Sequence, residues 1–185
     1  MDSRDTFLEM IRRHGDKAYN FAYRLTGNDA DASDLVQEAF TRAFKNRDRY
    51  DPGRPFESWM FKIMQNIFLD AVRRKENQGK VSLDAPTPGG SSTWGELLAG
   101  TDPNPADAAA REETDSHLQR ALATLPIHYR TAVTLNDIEQ LTYEEMGRIM
   151  DCPIGTVRSR VHQGRVLLRR AFEALQHGGG TYEAS

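Results

Sequence analysis

The sequence is poor in cysteine, in long apolar runs and in net charge of either sign, and each shortage excludes something. One cysteine, Cys152, among 185 residues rules out an intramolecular disulfide and suits a reducing compartment. No apolar stretch approaches the ~20 residues that span a bilayer, and the segment from Met1 to Asp16 is polar rather than signal-like. A cytoplasmic protein without membrane insertion is expected. With 24 basic and 27 acidic residues, a formal net charge of −3, the chain lacks the overall basic excess that advertises a nucleic-acid partner. Its five histidines, His14, His117, His128, His162 and His177, share no metal-ligand spacing. No phosphate-cradling glycine loop or nucleophile triad is present. The expectation is therefore a protein with no cofactor and no catalytic activity of its own.

Counted by segment, the charge is uneven. Residues 1–77 carry 14 basic and 13 acidic groups, residues 78–117 carry 2 and 7, and residues 118–185 carry 8 and 7. The acidity is concentrated in the middle. Within the last segment, Arg158 to Arg170 contains five arginines and no acid, a local cationic run that the bulk value conceals.

Helical periodicity dominates, and nothing alternates as a strand would. Phe7, Ile11, Ala18, Phe21, Ala22 and Leu25 recur at helical steps, and Thr26-Gly27-Asn28 reads as a stop. A second helix opens with Asp29, Asp31 and Asp34 at its positive end and continues with the stripe Leu35, Val36, Ala39, Phe40, Ala43 and Phe44. The three acids also invite comparison with a magnesium site, as in a metal-dependent nuclease, but compensation of the helix dipole explains them. After the break Tyr50-Asp51-Pro52-Gly53-Arg54-Pro55, a third helix from about Phe56 to Lys75 is apolar almost all round, which predicts the centre of a domain. Residues 1–76 thus form one helical domain.

Residues 77–107 lose the helical period and fill with Gly79, Pro86, Pro88, Gly89, Gly90, Gly95, Gly100, Pro103 and Pro105. Such a stretch cannot bury enough apolar surface to offset its ordering entropy, so it reads as an acidic linker. A second helical domain spans 108–177, followed by a flexible tail, 178–185. In this domain one helix ends at Pro126 and another runs from Ile127 to Glu139. Thr142-Tyr143-Glu144-Glu145 then forms a capping box. The turn Asp151-Cys152-Pro153 connects this short helix to a last one reaching about Leu175. Cys152 has a packing role. The pattern is a helix-turn-helix whose second helix is the recognition element. The fold class is all-α, with two small domains on a flexible tether.

The recognition helix carries Ile154, Val157, Val161 and Leu168 on an inner stripe and Arg158, Ser159, His162 and Gln163 on the other face, side chains suited to base edges and phosphates. In the third helix, Asn66 is an amide amid apolar neighbours. Buried without a partner it would cost about 1–3 kcal/mol, so it is either satisfied within the fold or turned to a ligand.

Leu125-Pro126, Tyr129-Arg130, Leu141-Thr142-Tyr143-Glu144-Glu145 and the run from Cys152 to Arg160 resemble the C-terminal domain of the extracytoplasmic-function sigma factors of bacterial RNA polymerase. The stretch from Asp31 to Phe40 is similar to that family's polymerase-binding segment, and Phe56 to Asn66, with Asp70, Arg73 and Arg74, to its promoter-melting segment. The resemblance implies an initiation factor that binds the largest subunits of core RNA polymerase, recognises promoter DNA and assists its melting. It also implies an anti-sigma partner that can hold the factor at the membrane; in holoenzyme the factor is with the nucleoid.

By resemblance, Asp34, Leu35, Gln37, Glu38, Phe40 and Arg42 contact polymerase. Asn66 contacts bases of the minus-ten element, and Lys62, Arg73, Arg74 and Lys75 hold the opened strand, with a base-holding loop after Val72. Phe61 and Trp59 offer aromatic faces for stacking, a core role being favoured for Trp59. Arg158, Ser159, Arg160, His162 and Gln163 map to minus-thirty-five recognition, with Thr156 and Arg165 as phosphate ligands. Gln163 and Gln140 depart from the family, which more often has Arg and Gly there, so promoter preference does not carry over. A stand-alone helix-turn-helix regulator is the rival reading; it predicts specific duplex binding by the purified chain without polymerase.

Overall fold

The structure, a computed structural model, describes residues 3–78 and 105–178, with side-chain surroundings for 8–76 and 115–175. Residues 79–104, most of the expected linker, and 179–185 of the expected tail lie outside the described residues. The chain divides into two compact units, residues 1–23 with 28–99, and residues 24–27 with 100–185. Among the described residues all regular structure is helical.

The first unit is built from α1 (Ser3–Thr26), α2 (Asp29–Lys45) and α3 (Phe56–Gln78). Asn28 caps α2, its side chain accepting the Asp31 N–H at 2.9 Å, which satisfies one of the donors left open at a helix start. At the other end, Asn46 donates its side-chain amide to the Arg42 carbonyl at 2.8 Å. A single 3-10 turn (Arg47–Arg49) and the turn at Asp51, whose carboxylate accepts the Gly53 N–H at 2.9 Å, then reverse the chain into α3. Leu35, Val36, Ala39, Phe40 and Ala43 of α2 are buried with Phe56, Met60, Phe61, Met64 and Ile67 of α3. Phe21 of α1 joins them, its ring 4.4 Å from that of Phe61. An aromatic cluster closes the start of α3: Tyr50 lies 5.6 Å from Phe56 and 5.2 Å from Trp59.

The structure qualifies the expectation that α3, apolar almost all round, is the centre of its domain. Its core residues occupy one side, while Asn66, Asp70 and Arg73, at four- and seven-residue steps along the opposite side, are exposed. Ile63, Leu69 and Val72 are only half-buried. The apolar character that the sequence spreads round the helix is thus shared between a core and a partly open surface.

The second unit comprises α4 (Pro105–Thr124), α5 (Ile127–Val133), a π-helical turn (Thr134–Ile138), α6 (Tyr143–Met150) and α7 (Ile154–Gly178). The single helix expected from Ile127 to Glu139 is interrupted. From Thr134 the bonding widens, with the Glu139 N–H donating to the Thr134 carbonyl at 3.0 Å, and the extra residue rotates Asp137 relative to the α5 register. Three residues, 151–153, join α6 to α7. Asp151 closes α6 in the left-handed region, with φ of 50°. Gly147 and Cys152 lie close enough that a Cβ on Gly147 would sit 3.1 Å from the Cys152 carbonyl oxygen. The Pro153 carbonyl accepts the first N–H groups of α7, from Thr156 and Val157, so Pro153 stands one position before its helix.

Core residues Ala121, Leu122 and Leu125 of and after α4, Ala132, Val133 and Leu135, Met146, Ile149 and Met150 of α6, and Val157 and Val161 of α7 fill this unit. The tightest approach is at Gly164. A Cβ there would lie 2.6 Å from Val133 Cγ2 and 3.0 Å from the Tyr129 carbonyl oxygen, so α7 meets α5 almost backbone to backbone. Glycine in a helix costs up to about 1 kcal/mol relative to alanine; overpacking costs about 1–3 kcal/mol and outweighs it, because one of the two obstructing atoms is backbone. Gly164→Ala should therefore lower the stability of the full chain by about 1–3 kcal/mol in denaturant titration; a midpoint that rises would show the approach to be slack.

Candidate nucleic-acid and polymerase interfaces

The helix-turn-helix displays α7 through three local devices. The first is the capping box: Glu145 accepts the Thr142 N–H at 2.9 Å and the Thr142 hydroxyl at 2.8 Å, while Thr142 Oγ1 accepts the Glu145 N–H at 3.3 Å. The second is the left-handed Asp151, and the third is the buried stripe Val157, Val161 and Gly164. Together they turn Arg158, Ser159, His162, Gln163 and Arg165 to the exterior, all exposed. Ile154, 41% exposed, stands beside them at the helix start, and a Cβ on Gly155 would meet nothing within 4 Å. This is a surface that a DNA groove can approach closely.

Two sequence-predicted residues of α7 lie off that face, and a third, on it, is paired. Thr156 is half-buried. Arg160, also half-buried, lies two residues beyond Arg158 and so points away from it; its guanidinium is 3.5 Å from Cys152 Sγ. Burial and the nearby Arg160 charge hold the His128 imidazole below its ordinary value. Arg160 is thus placed beside the turn, apart from the stripe of Arg158 and His162. Arg165 is exposed yet paired: its Nε lies 3.0 Å from Asp137 Oδ2, and its Nη2 also donates to Oδ1.

On α3, Lys62, Asn66 and Arg73 follow one face, Lys62 half-buried and the other two exposed. Arg74, also exposed, flanks it and donates Nε to the Asp70 carbonyl at 3.2 Å. Lys75, nine residues beyond Asn66, falls on the opposite side of the helix. The base-holding loop expected after Val72 is not a loop, because α3 continues through Gln78. Phe61, 1% exposed, is a core residue with no face for a base, and Trp59 packs in the aromatic cluster with Tyr50 and Phe56.

The burial argument made for Asn66 belongs one residue earlier. Asn66 is exposed, whereas Gln65 is 5% exposed with its Oε1 lacking a hydrogen-bond partner. One residue rotates the side chain by about 100°, enough to exchange solvent for core.

On α2, Asp34, Gln37 and Glu38 are exposed and Arg42 is half-buried, with Arg42 Nε 2.7 Å from Glu38 Oε1. Leu35 and Phe40, expected with them, are each 6% exposed and belong to the core that holds α2. Of the three acids compared with a metal site, Asp29 accepts the Tyr19 hydroxyl at 2.7 Å and Asp31 the Asn28 amide at 2.9 Å. Burial and the bond to Asp29 push the Tyr19 phenol up to about 12. Among the described residues no group of three acidic, histidine or cysteine side chains is placed to hold a metal ion.

Residues 10–78 match the family described as Sigma-70 region 2, and residues 117–168 that described as Sigma-70, region 4. These two modules, each carrying one of the faces above, define a chain of the sigma-70 class. Among its relatives, the ECF RNA polymerase sigma factor SigE of Mycolicibacterium smegmatis is 44% identical over 161 residues, covering 87% of this chain and 59% of that protein. SigW of Bacillus subtilis, also an ECF RNA polymerase sigma factor, is 33% identical over 171 residues, 92% of this chain and 91% of that protein. The chain belongs to the extracytoplasmic-function sigma factors of RNA polymerase. Its fold is that of the sigma factor RpoE of Bartonella quintana, solved with the anti-sigma factor NepR (TM-score 0.68, 22% identity, 91% of this chain and 97% of that one).

Two residues behind these faces carry no sequence signal of their own. Asp137 gave no signal, because only the π turn and the packing of α7 bring it to Arg165, 28 residues on. Gln65 was visible only as a neighbour of Asn66.

Two testable consequences concern the capping box and the turn before it. Backbone and side-chain bonds from Thr142 hold the Glu145 carboxyl below its ordinary 4.5. A depressed folded value means stabilisation that is present above pH 4.5 and lost as pH falls through the folded value. Glu145→Gln should therefore flatten the acid side of a stability-versus-pH curve measured by urea titration; an unchanged acid limb would exclude this origin. Gln140 holds φ of 55°, a region that costs a side chain about 1–2 kcal/mol and glycine little. Gln140→Gly should raise the thermal midpoint, and a fall would show that the side chain contributes more than its strain.

Proposed function

We propose that this sigma factor divides promoter recognition between its two exposed helical faces. The α2 face of Asp34, Gln37, Glu38 and Arg42 docks on the largest subunit of core RNA polymerase, where mixed charge sets register and association rate. The α3 face with Lys62, Asn66 and Arg73, flanked by Arg74, takes the minus-ten element as an opened strand. The α7 face with Arg158, Ser159, His162 and Gln163 takes the minus-thirty-five element as duplex. Arg and Gln are suited to bidentate contact with guanine and adenine edges. Opening is driven by capture of unpaired bases and by polymerase contacts rather than by hydrolysis; the chain acts without catalytic activity, in the cytoplasm, and an anti-sigma factor sequesters it. Support for the last comes from CnrH, solved in complex with the cytosolic domain of CnrY, a fold match at TM-score 0.64 and 22% identity.

The observation that carries this reading is the polar stripe of exposed Asn66 and Arg73, with half-buried Lys62, on the side of α3 away from its core. Core packing does not use this stripe, and its amide and cations suit the bases and phosphates of an opened strand. The stand-alone regulator explains α7 but leaves the α3 face without use.

In vitro transcription with core polymerase and a promoter library tests the proposal; no specific initiation above core alone would refute it. Within that assay, Asn66→Ala should reduce promoter opening, followed by permanganate footprinting, by at least tenfold while leaving core affinity unchanged. Arg158→Ala should cost about 1–3 kcal/mol of minus-thirty-five discrimination. Equal loss of core affinity in both variants would contradict the division.

A further inference from the structure

The cationic run of α7 is not uniformly available, because one of its arginines is held by an acid from another element. Arg165 donates Nε to both carboxylate oxygens of Asp137, at 3.2 and 3.0 Å, and Nη2 to Oδ1 as well. The acid is itself fixed: Asn136 donates its amide to Asp137 Oδ1 at 2.8 Å, and the π turn sets the direction from which the carboxylate meets α7. Arg165 remains 54% exposed at its side chain and Asp137 30%. A guanidinium has five N–H donors, so a grip through Nε and one Nη2 hydrogen leaves three donors outside the pair. Burial pushes the Asp137 carboxyl up, but the Arg165 and Asn136 bonds outweigh it and hold it below the usual carboxylate range. The acid therefore stays ionised and the pair is neutral.

Arg165 stands three residues beyond His162 and seven beyond Arg158, on the face assigned above to duplex DNA. A free arginine there attracts any phosphate, whatever the sequence. A neutralised arginine with a fixed plane has lost most of that long-range attraction and keeps its directional donors. We propose that Asp137 is a specificity-determining residue: by pairing with Arg165 it converts a general phosphate attractor into an oriented hydrogen-bond donor, lowering non-specific DNA affinity and preserving discrimination at the minus-thirty-five element. The inference rests on the reading of α7 as the duplex-binding helix. An exposed pair of this kind carries little fold stability, so its removal is expected to leave the unit folded.

The test uses the full chain assembled with core RNA polymerase and two duplex fragments. One carries a minus-thirty-five sequence recovered from a promoter library by the wild-type holoenzyme, the other the same fragment with that element scrambled. Affinities are measured over a range of salt concentrations. Asp137→Asn, which keeps shape and removes charge, should bind the scrambled fragment several-fold more tightly and steepen the salt slope by about 0.9, one phosphate's worth. The ratio between the two fragments should fall. Arg165→Lys keeps the charge but cannot be gripped in two places, and should shift in the same direction. Asp137→Glu should stay near wild type, and Asp137→Asn should have no further effect once Arg165 is replaced by Gln. An unchanged salt slope in both Asp137→Asn and Arg165→Lys, or an Asp137→Asn effect that persists in the Arg165→Gln background, would overturn the proposal. A wild-type holoenzyme that fails to distinguish the fragments would instead refute the reading of α7 itself.

Discussion

A helix that must complete a hydrophobic core on one side and leave a polar face open on the other has roughly half its circumference for each task, and this constraint recurs in α3 and α7. In α7 it is met by Val157, Val161 and Gly164 inside and Arg158, Ser159 and His162 outside. In α3 it is met by Met60, Phe61, Met64 and Ile67 inside and Asn66, Asp70 and Arg73 outside. The inner stripe sets the rotation of the helix about its axis, so core packing decides which polar residues are presented. The glycine at 164 is the sharpest case. Its missing Cβ lets α7 settle against Val133 and Tyr129, and a helix held off there would carry its whole outer face with it.

The supporting interactions act one step behind that surface. The Thr142–Glu145 box and the left-handed Asp151 fix where α6 begins and ends, and the three residues after it aim α7. Arg160 reaches back to Cys152 Sγ in the turn. Asp137, delivered by the π turn, grips Arg165. In the first unit, Leu35 and Phe40 hold α2 so that Asp34, Gln37 and Glu38 stand clear. Residues that share a motif therefore divide between those offered to a partner and those that position them.

Much of this was legible in the residues. The two helical domains, the helix-turn-helix with its three-residue turn, the capping box and the exposed run on α7 follow from periodicity, capping chemistry and proline placement, which are local effects. The misses share one cause. Asn66 and Gln65 exchange core for solvent by one residue, and the apolar breadth of α3 leaves the orientation of such a helix undetermined until its neighbours are in place. The segment after Val72 reads as a loop only by analogy, whereas its own residues, Arg73, Arg74, Lys75 and Glu76, are good helix formers.

By itself the sequence determined that the chain is helical, where most of its turns and caps fall, and which family's motifs it carries, because capping, periodicity and motif spacing are written within a few turns of chain. Only the tertiary structure decided that Leu35, Phe40 and Phe61 are buried and that Arg165 is paired with Asp137. Each of those outcomes depends on which side chain of one helix meets which of another. Such contacts join residues tens of positions apart, and they are set by the packing of whole faces, which no local pattern encodes.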